Sequence, residues 1–164
     1  MSTAHLSEAL RSHRLRATAP RVATLAVLED SPHAEAEDVV AQVEKRIGTV
    51  SRQAVYDALN SLTPVGLVRR VTPTNRAARY EIEGHDNHHH LLCSSCGALV
   101  DIPCSVGYAP CLAPKDTGGA QIDVAEVLYR GLCADCAKNP TGKQPHDEHT
   151  RDNLNNTNLN PEEK

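Results

Sequence analysis

The chain has 164 residues, which is enough for one or two small domains. Hydrophobic residues make up 40% of it, but Phe and Trp are both absent, so any core must be aliphatic. A structural metal would therefore be a useful substitute for core size. The polar N-terminus and the lack of a long apolar run predict neither a signal peptide nor a membrane span, so we expect a cytoplasmic protein.

The net charge of −4 is unevenly distributed. Residues 1–83 carry 11 Lys and Arg against 10 Asp and Glu, whereas residues 84–164 carry 6 against 11. Arginine supplies ten of the eleven cations in the first part, which suits contacts with phosphate. In a cytoplasmic chain the six cysteines favour metal binding or redox sensing over a disulfide framework.

Apolar periodicity in the first part predicts a short amphipathic segment at 1–16 and then three helices. Thr18 and Ser51 are typical helix N-caps, and Pro20 is tolerated in a first turn. The helices are predicted from Thr18 to near Ser31, at Ala36–Ile47 before Gly48, and at Arg52–Thr63 before Gly66. The side chains expected to be buried are Val22, Leu25, Ala26, Val39, Val43, Ile47, Val55, Ala58, Leu59 and Leu62.

Two strands should follow, at Leu67–Val71 and Arg76–Ile82, with a turn at 72–75 between them. Three helices and an arginine-rich ribbon are the order of a winged helix-turn-helix, with Arg52–Thr63 as the recognition helix. Taken alone, the polar face of that helix would be interpreted as a solvated surface. The arginine-rich ribbon that follows it favours a DNA-binding surface instead. The candidate DNA-binding residues are Ser51, Arg52, Gln53, Tyr56, Asn60 and Arg76.

The second part predicts strands at Leu91–Cys93, Ala98–Ile102 and Gln121–Arg130. Residues 103–120 are rich in Pro and Gly and predict no element, and the polar residues 138–164 predict a disordered tail. The expected fold class is α+β, with a small α/β zinc-containing dimerisation domain in the second part. The predicted boundaries are a winged-helix domain at 1–83, a hinge at 84–87, a metal-binding and dimerisation domain at 88–137, and the tail at 138–164.

Two CxxC motifs, Cys93–Cys96 and Cys133–Cys136, suit a tetrahedral zinc site. The 36 residues between them exceed ordinary zinc-ribbon spacing, and two buried or redox-active pairs are the alternative. His88 and His90 should share one side of a strand, with His89 on the other. With Glu81 and Asp101 nearby, His88 and His90 offer harder nitrogen and oxygen ligands that suit iron or manganese. Metal binding is therefore favoured over the alternative, a solvated run of histidines.

Cys104 and Cys111 are open to three interpretations. They could form a redox-sensitive pair, provide alternative metal ligands, or simply pack within a loop. General considerations favour loop packing, because reactivity requires a lowered thiol pKa that sequence does not reveal.

Together these features resemble the ferric uptake regulator (Fur) family of bacterial metal-dependent repressors. The resemblance covers about residues 6–137. Within the family, the chain is most similar to the actinobacterial branch encoded with catalase-peroxidase genes. The motifs that carry it are LRATAPR at Leu15–Arg21, His33 before an acidic helix start, SRQAVYDAL at Ser51–Leu59, GLV at Gly66–Val68, RYE at Arg79–Glu81, HHHLLCSSCG at His88–Gly97 and GLCADC at Gly131–Cys136.

The resemblance implies a homodimer that binds double-stranded operator DNA, with its DNA-binding domains oriented by a regulatory metal. It implies structural zinc at Cys93, Cys96, Cys133 and Cys136. It implies regulatory Fe²⁺ or Mn²⁺ at His33, Glu81, His88, His90 and Asp101. The chain departs from the family at Asp57, where arginine is frequent, and at Ala125, where a ligand histidine is frequent. The second departure puts the family's additional metal site in question, although His89 and Glu126 could partly substitute.

In this family, aspartate at the position of Asp101 is associated with peroxide sensing. The resemblance therefore implies a non-enzymatic, peroxide-responsive repressor. Ferrous iron at the site would react with hydrogen peroxide, and the oxidant formed would attack His33, His88 or His90 and release the metal. The alternative is a repressor that senses iron or zinc availability. A thiol–disulfide enzyme is disfavoured, because no thioredoxin-like pattern surrounds either CxxC motif.

Overall fold

A computed structural model of the chain describes residues 3–73, 75–84, 87–106, 111, 114, 116–122 and 126–139. The predicted tail lies outside the described residues from position 140 onward, and so does Ala125. The chain divides into a first unit, Met1–His88 with Pro103–Ala125, and a second unit, His89–Ile102 with Glu126–Lys164. Within the described ranges, no helix is long and apolar enough to cross a membrane.

The helices of the first unit are α1 (Thr3–Ser12), α2 (Ala19–Asp30), α3 (Ala36–Ile47) and α4 (Arg52–Leu62). The ends of α2, α3 and α4 lie within about a residue of the predicted ones because capping signals are local, whereas α1 ends four residues before the predicted segment 1–16 does. Ser51 caps α4, since its hydroxyl accepts the N–H of Ala54 at 3.1 Å. Thr18 occupies the N-cap position of α2, but its side chain makes no capping hydrogen bond. Gly48 ends α3 with a φ of +80°, a conformation that residues with a Cβ rarely adopt.

The core of the first unit is aliphatic, as predicted, except for the buried ring of Tyr80, and the inward face of α4 is fully buried. Three of the predicted core positions are wrong or incomplete. Ile47 is 39% exposed because it is the last residue of α3 and extends past the packed part of the helix. Val22 and Ala26 are only partly buried against the core. The α2 side chains that are buried are Ala23, Thr24, Leu25, Val27 and Leu28.

The wing is a three-stranded antiparallel sheet rather than the predicted two-stranded ribbon. Its strands are β1 (Ala34–Glu35), β2 (Val68–Val71) and β3 (Arg79–Ile82), in the order β1–β3–β2. The extra strand is β1, which lies between α2 and α3 and pairs Ala34 with Tyr80. β3 begins at Arg79, three residues later than predicted, because its start is set by pairing with β1 and β2.

The second sheet contains β4 (His88–Cys93), β5 (Leu99–Pro103) and β6 (Leu128–Gly131), in the order β5–β4–β6. The predicted strand Gln121–Arg130 is wrong in its first part, since Gln121 and Ile122 lie in no strand. β6 runs parallel to β4, with Cys93 level with Gly131. A short helix that the sequence did not predict, α5 (Ala134–Lys138), follows. Together the two units give the α+β fold with a winged helix-turn-helix.

Candidate metal centres and recognition helix

The four cysteines of the CxxC motifs meet in the second unit. The parallel register of β4 and β6 places Cys93 level with Gly131 and so brings the two motifs together. At this point Ser94 N–H donates to the carbonyl of Gly131 at 2.7 Å. All four Sγ atoms lie within 4.8 Å of one another, and those of Cys96 and Cys133 are 3.8 Å apart. Four Zn–S bonds of about 2.3 Å in a tetrahedron require sulfur atoms about 3.8 Å apart. The cluster therefore fits zinc.

The surroundings of the cluster act differently on its thiols. The N–H groups of Cys133 and Cys96 donate to Cys93 Sγ at 3.3 and 3.5 Å and lower the pKa of Cys93 to about 6. A hydrogen bond with Ser95 lowers the pKa of Cys136, but the adjacent thiols of Cys133 and Cys96 outweigh it and raise that pKa to about 12. Four neighbouring thiolates repel one another, and a dication is what removes that repulsion.

His33 and Glu81 are brought together by the register of the first sheet. Because Ala34 pairs with Tyr80, His33 lies next to Glu81, and its Nε2 is 2.6 Å from Glu81 Oε2. Both residues are buried, with 9% and 4% of their surface exposed. His33 has a φ of +61°, in the left-handed region, and its carbonyl accepts a hydrogen bond from Arg79 at 3.2 Å. An unusual backbone conformation of this kind is frequent at functional sites.

The second oxygen of Glu81 contacts His88, whose Nε2 lies 3.3 Å from Oε1. One buried carboxylate thus joins two imidazoles, His33 on one oxygen and His88 on the other. All three residues belong to the first unit. Two nitrogen donors and a carboxylate are a ligand set that suits Fe²⁺ or Mn²⁺.

The other two predicted regulatory ligands lie in the second unit. His90 on β4 and Asp101 on β5 approach each other, with 3.6 Å between His90 Nε2 and Asp101 Oδ1. His90 is buried and Asp101 is exposed. His89 makes a different contact, edge-to-face with the Tyr129 ring at 6.1 Å between centroids. The alternation along β4 thus separates His89 from His88 and His90, the two histidines that this strand contributes to the predicted site.

On α4, the predicted recognition helix, two of the predicted DNA-binding residues contact Glu37 of α3. Tyr56 donates its hydroxyl proton to Glu37 Oε1 at 2.7 Å, and Arg52 donates to the same oxygen. The bond from Tyr56, together with Arg52, lowers the pKa of Glu37, while Glu37 raises the pKa of Tyr56. Sequence reasoning missed Glu37, because its role depends on a contact between two helices.

The remaining predicted DNA-binding residues have different surroundings. Gln53 is exposed and donates to Asp57 Oδ1 at 2.7 Å, so the Asp57 departure lies beside a candidate base-reading side chain. Asn60 is exposed on α4, and the hydroxyl of Ser51 is used in capping that helix. Arg76 is half-buried between β2 and β3, where its N–H donates to the Pro73 carbonyl at 3.2 Å.

Cys104 and Cys111 are half-buried and lie close together in the first unit, with their sulfur atoms within 4.8 Å. Burial and the neighbouring Cys104 thiol raise the pKa of Cys111. A raised pKa lowers the thiolate fraction and hence the reactivity of Cys111. The geometry thus allows a pair, but the surroundings do not activate it.

Comparison with known proteins identifies the family of this chain. The model of the ferric uptake regulator family matches residues 12–105. The chain belongs to the ferric uptake regulator family. It is 48% identical over 137 residues to the transcriptional regulator FurA of Mycobacterium tuberculosis, covering 84% of this chain and 93% of FurA. The family and these relatives are transcriptional regulators rather than enzymes.

Two further relatives bear on which signal this Fur-family chain senses. It is 52% identical over 120 residues to ferric uptake regulation protein 1 of Mycolicibacterium fortuitum, covering 73% of this chain and 74% of that protein. It is 28% identical over 137 residues to the peroxide operon regulator of Bacillus subtilis, covering 80% and 90%. Both an iron-related and a peroxide-related regulator are therefore among its relatives.

Solved structures of Fur proteins share the fold. The ferric uptake regulator of Vibrio cholerae aligns with a TM-score of 0.61 at 22% identity, over 77% of this chain and 98% of that one. The Pseudomonas aeruginosa regulator, whose structure was determined with manganese, aligns with a TM-score of 0.59 at 22% identity, over 79% and 98%. At this identity the likeness supports the fold alone.

Proposed function

We propose that this Fur-family regulator is a metal-dependent repressor that binds double-stranded operator DNA as a homodimer in the cytoplasm. The observation that carries the proposal is the group formed by buried His33 and Glu81 with half-buried His88, which lies in the same unit as the winged helix. Binding of a cation there restrains the wing strand β3 and the turn before α3. Such a ligand favours whichever arrangement of the DNA-binding elements holds it more tightly.

The two metal sites have separate tasks in this proposal. The cysteine cluster holds zinc and keeps the second unit folded, because sulfur donors at tetrahedral separation form closed structural sites. The predicted regulatory ligands, which are His33, Glu81, His88, His90 and Asp101, bind Fe²⁺ or Mn²⁺ in this proposal. Nitrogen and carboxylate donors release such ions more readily than thiolates release zinc, and a sensor requires this reversible binding.

DNA recognition in this proposal depends on α4. Arg52, Gln53 and Asn60 are exposed along the helix, and arginine and amide side chains form the bidentate contacts that read guanine and adenine. Arg76 and the exposed wing residue Arg70 supply contacts to phosphate. Arg52 and Tyr56 must exchange their contacts with Glu37 for contacts with DNA.

The signal proposed first is hydrogen peroxide. Fe²⁺ held by these imidazole and carboxylate ligands would supply the chemistry that cleaves the peroxide O–O bond. Overall, hydrogen peroxide would transfer one oxygen atom to a carbon of a ligand ring, and its other oxygen would leave as water. His33, His88 or His90 would then bind the metal poorly, and the operator would be released. The support is the imidazole and carboxylate donor set, with Asp101 in the position that the family resemblance associates with peroxide sensing.

The second candidate is a sensor of iron or zinc availability, with the same fold and the same metal sites. What favours it is the naming of the more similar relatives, which are FurA and a ferric uptake regulation protein. In that case loss of the ion alone, without oxidation of a ligand, releases the operator.

Operator binding before and after peroxide tests the two candidates. Zinc-containing protein is loaded anaerobically with Fe²⁺ or Mn²⁺, and the probe is a duplex selected from a random-sequence pool by the Mn²⁺ form. Fluorescence anisotropy reports DNA binding before and after one equivalent of peroxide, and peptide mass spectrometry locates added oxygen.

Peroxide sensing predicts that only the Fe²⁺ form releases DNA, with one oxygen added at His33, His88 or His90. Metal-dependent binding that peroxide leaves unchanged in both forms selects the availability sensor. Release from both forms, with a disulfide between Cys104 and Cys111, moves the sensing site to the thiols. DNA binding with an affinity that depends on neither Fe²⁺ nor Mn²⁺ contradicts the proposal as a whole.

A further inference from the structure

Arg69 occupies the centre of β2, directly opposite Glu81 in the β2–β3 register. Opposed residues of an antiparallel pair present their side chains on the same face, so Arg69 and Glu81 lie side by side. Nε and Nη2 of Arg69 donate to the two carboxylate oxygens of Glu83 at 2.9 and 2.5 Å. The guanidinium is thus fixed by a bidentate bond beside the predicted regulatory ligands.

The remaining terminal nitrogen of Arg69 points at two of those ligands. Its Nη1 is 3.1 Å from His88 Nε2 and 3.5 Å from Glu81 Oε1. A guanidinium can only donate, so a hydrogen bond from Nη1 to His88 forms in the tautomer whose Nε2 carries a lone pair. A cation would coordinate through that same lone pair. Arg69 therefore contacts His88 through the atom that metal binding needs.

We propose that Arg69 is a built-in competitor of the regulatory metal. Its Nη1–H must leave His88 Nε2 and Glu81 Oε1 before a cation binds both atoms, while Glu83 keeps the guanidinium close. The inference rests on the proposed regulatory site. Without a bound cation, Arg69 compensates the buried charge of Glu81. With one, the permanent charge of Arg69 repels it, so both effects lower the affinity for metal.

Three variants of β2 test this inference. Arg69→Gln removes the charge and the forked donor, and Arg69→Lys keeps the charge but not the fork. Arg70→Gln is the matched control, because it makes the same charge change on the neighbouring residue, which is exposed and pairs with Tyr80 instead of Glu81. Mn²⁺ binding to the full zinc-containing chain is measured from the free-ion electron paramagnetic resonance signal, and circular dichroism checks folding.

We expect Arg69→Gln to bind Mn²⁺ about tenfold more tightly, the equivalent of one charge-assisted hydrogen bond. Arg69→Lys should lie between it and the wild type, and Arg70→Gln should match the wild type. Equal tightening by Arg69→Gln and Arg70→Gln would mean a non-specific charge effect and would overturn the inference. Weaker binding by Arg69→Gln would overturn it too, because Arg69 would then be supporting the ligands.

A fourth variant, Glu81→Gln, distinguishes failure of this inference from failure of the proposed function. If Glu81→Gln weakens Mn²⁺ binding and Arg69→Gln leaves it unchanged, the regulatory site stands and the competitor role of Arg69 is wrong. If Glu81→Gln has no effect on Mn²⁺ affinity, the regulatory site is wrong and the inference falls with it.

Discussion

Replacing Cys96 by Ser removes one of the four sulfur donors of the cysteine cluster. Among the described residues of the second unit, the buried aliphatic side chains are Leu92 and Leu99, at 3% and 7% exposure. Burial of two such side chains contributes about 3–6 kcal/mol. A structural zinc site contributes about 10–16 kcal/mol of binding free energy that is coupled to folding. Because zinc is the larger contribution, we expect Cys96→Ser to lose zinc and to unfold the second unit.

Zinc content by atomic spectroscopy and amide hydrogen exchange measure the two parts of this expectation. β4 and β6 should lose protection, whereas α2 and α4 should keep it because the first unit has its own aliphatic core. His90→Ala is the control on the same strand. It should retain zinc and dimerise normally but need more Mn²⁺ to bind DNA. The division into structural and regulatory sites would be refuted if Cys96→Ser kept its zinc and the protection of β4. Identical loss of fold and dimer by both variants would refute it as well.

Two further outcomes test the first unit. Leu59→Ala should lower the free energy of unfolding by about 2–5 kcal/mol in urea titration, since Leu59 is fully buried on α4. A change near zero would contradict the packing of the recognition helix. Glu37→Gln should raise DNA affinity in the Mn²⁺ form, because it removes a carboxylate that competes with DNA for Arg52. Anisotropy titrations should show no such gain for Glu44→Gln, an equal charge change on the same helix, and equal gains would count against the contact.

The helices of the first unit were predictable because their signals are local. Caps, glycine stops and a repeating apolar stripe all lie within the segment that they describe, and the ends of α3 agree with the prediction. The same reasoning was wrong for Ile47, because periodicity continues to the end of a helix even where the packed core does not. The short α5 was missed because five residues are too few to show a period.

Strand pairing is where sequence reasoning failed. β1 has two residues and takes its register from β3, which lies more than forty positions later in the chain. No local sequence pattern therefore predicts this strand. The start of β6 is likewise set by its partner β4 rather than by its own alternation. For the candidate sites, the cysteine spacing is a local signal. The contacts of Glu37 and Arg69 are not, since each depends on side chains brought together from distant positions.

The missed strand β1 also gives the proposed sensor a short route to the recognition helix. His33 immediately precedes β1, and α3 begins directly after it. Glu37, in the first turn of α3, holds Arg52 and Tyr56 on α4. A cation that fixes His33 against Glu81 therefore restrains the start of α3 through two intervening residues of strand. Linkage is reciprocal, so DNA that draws Arg52 and Tyr56 away from Glu37 must alter metal affinity by the same factor that metal alters DNA affinity.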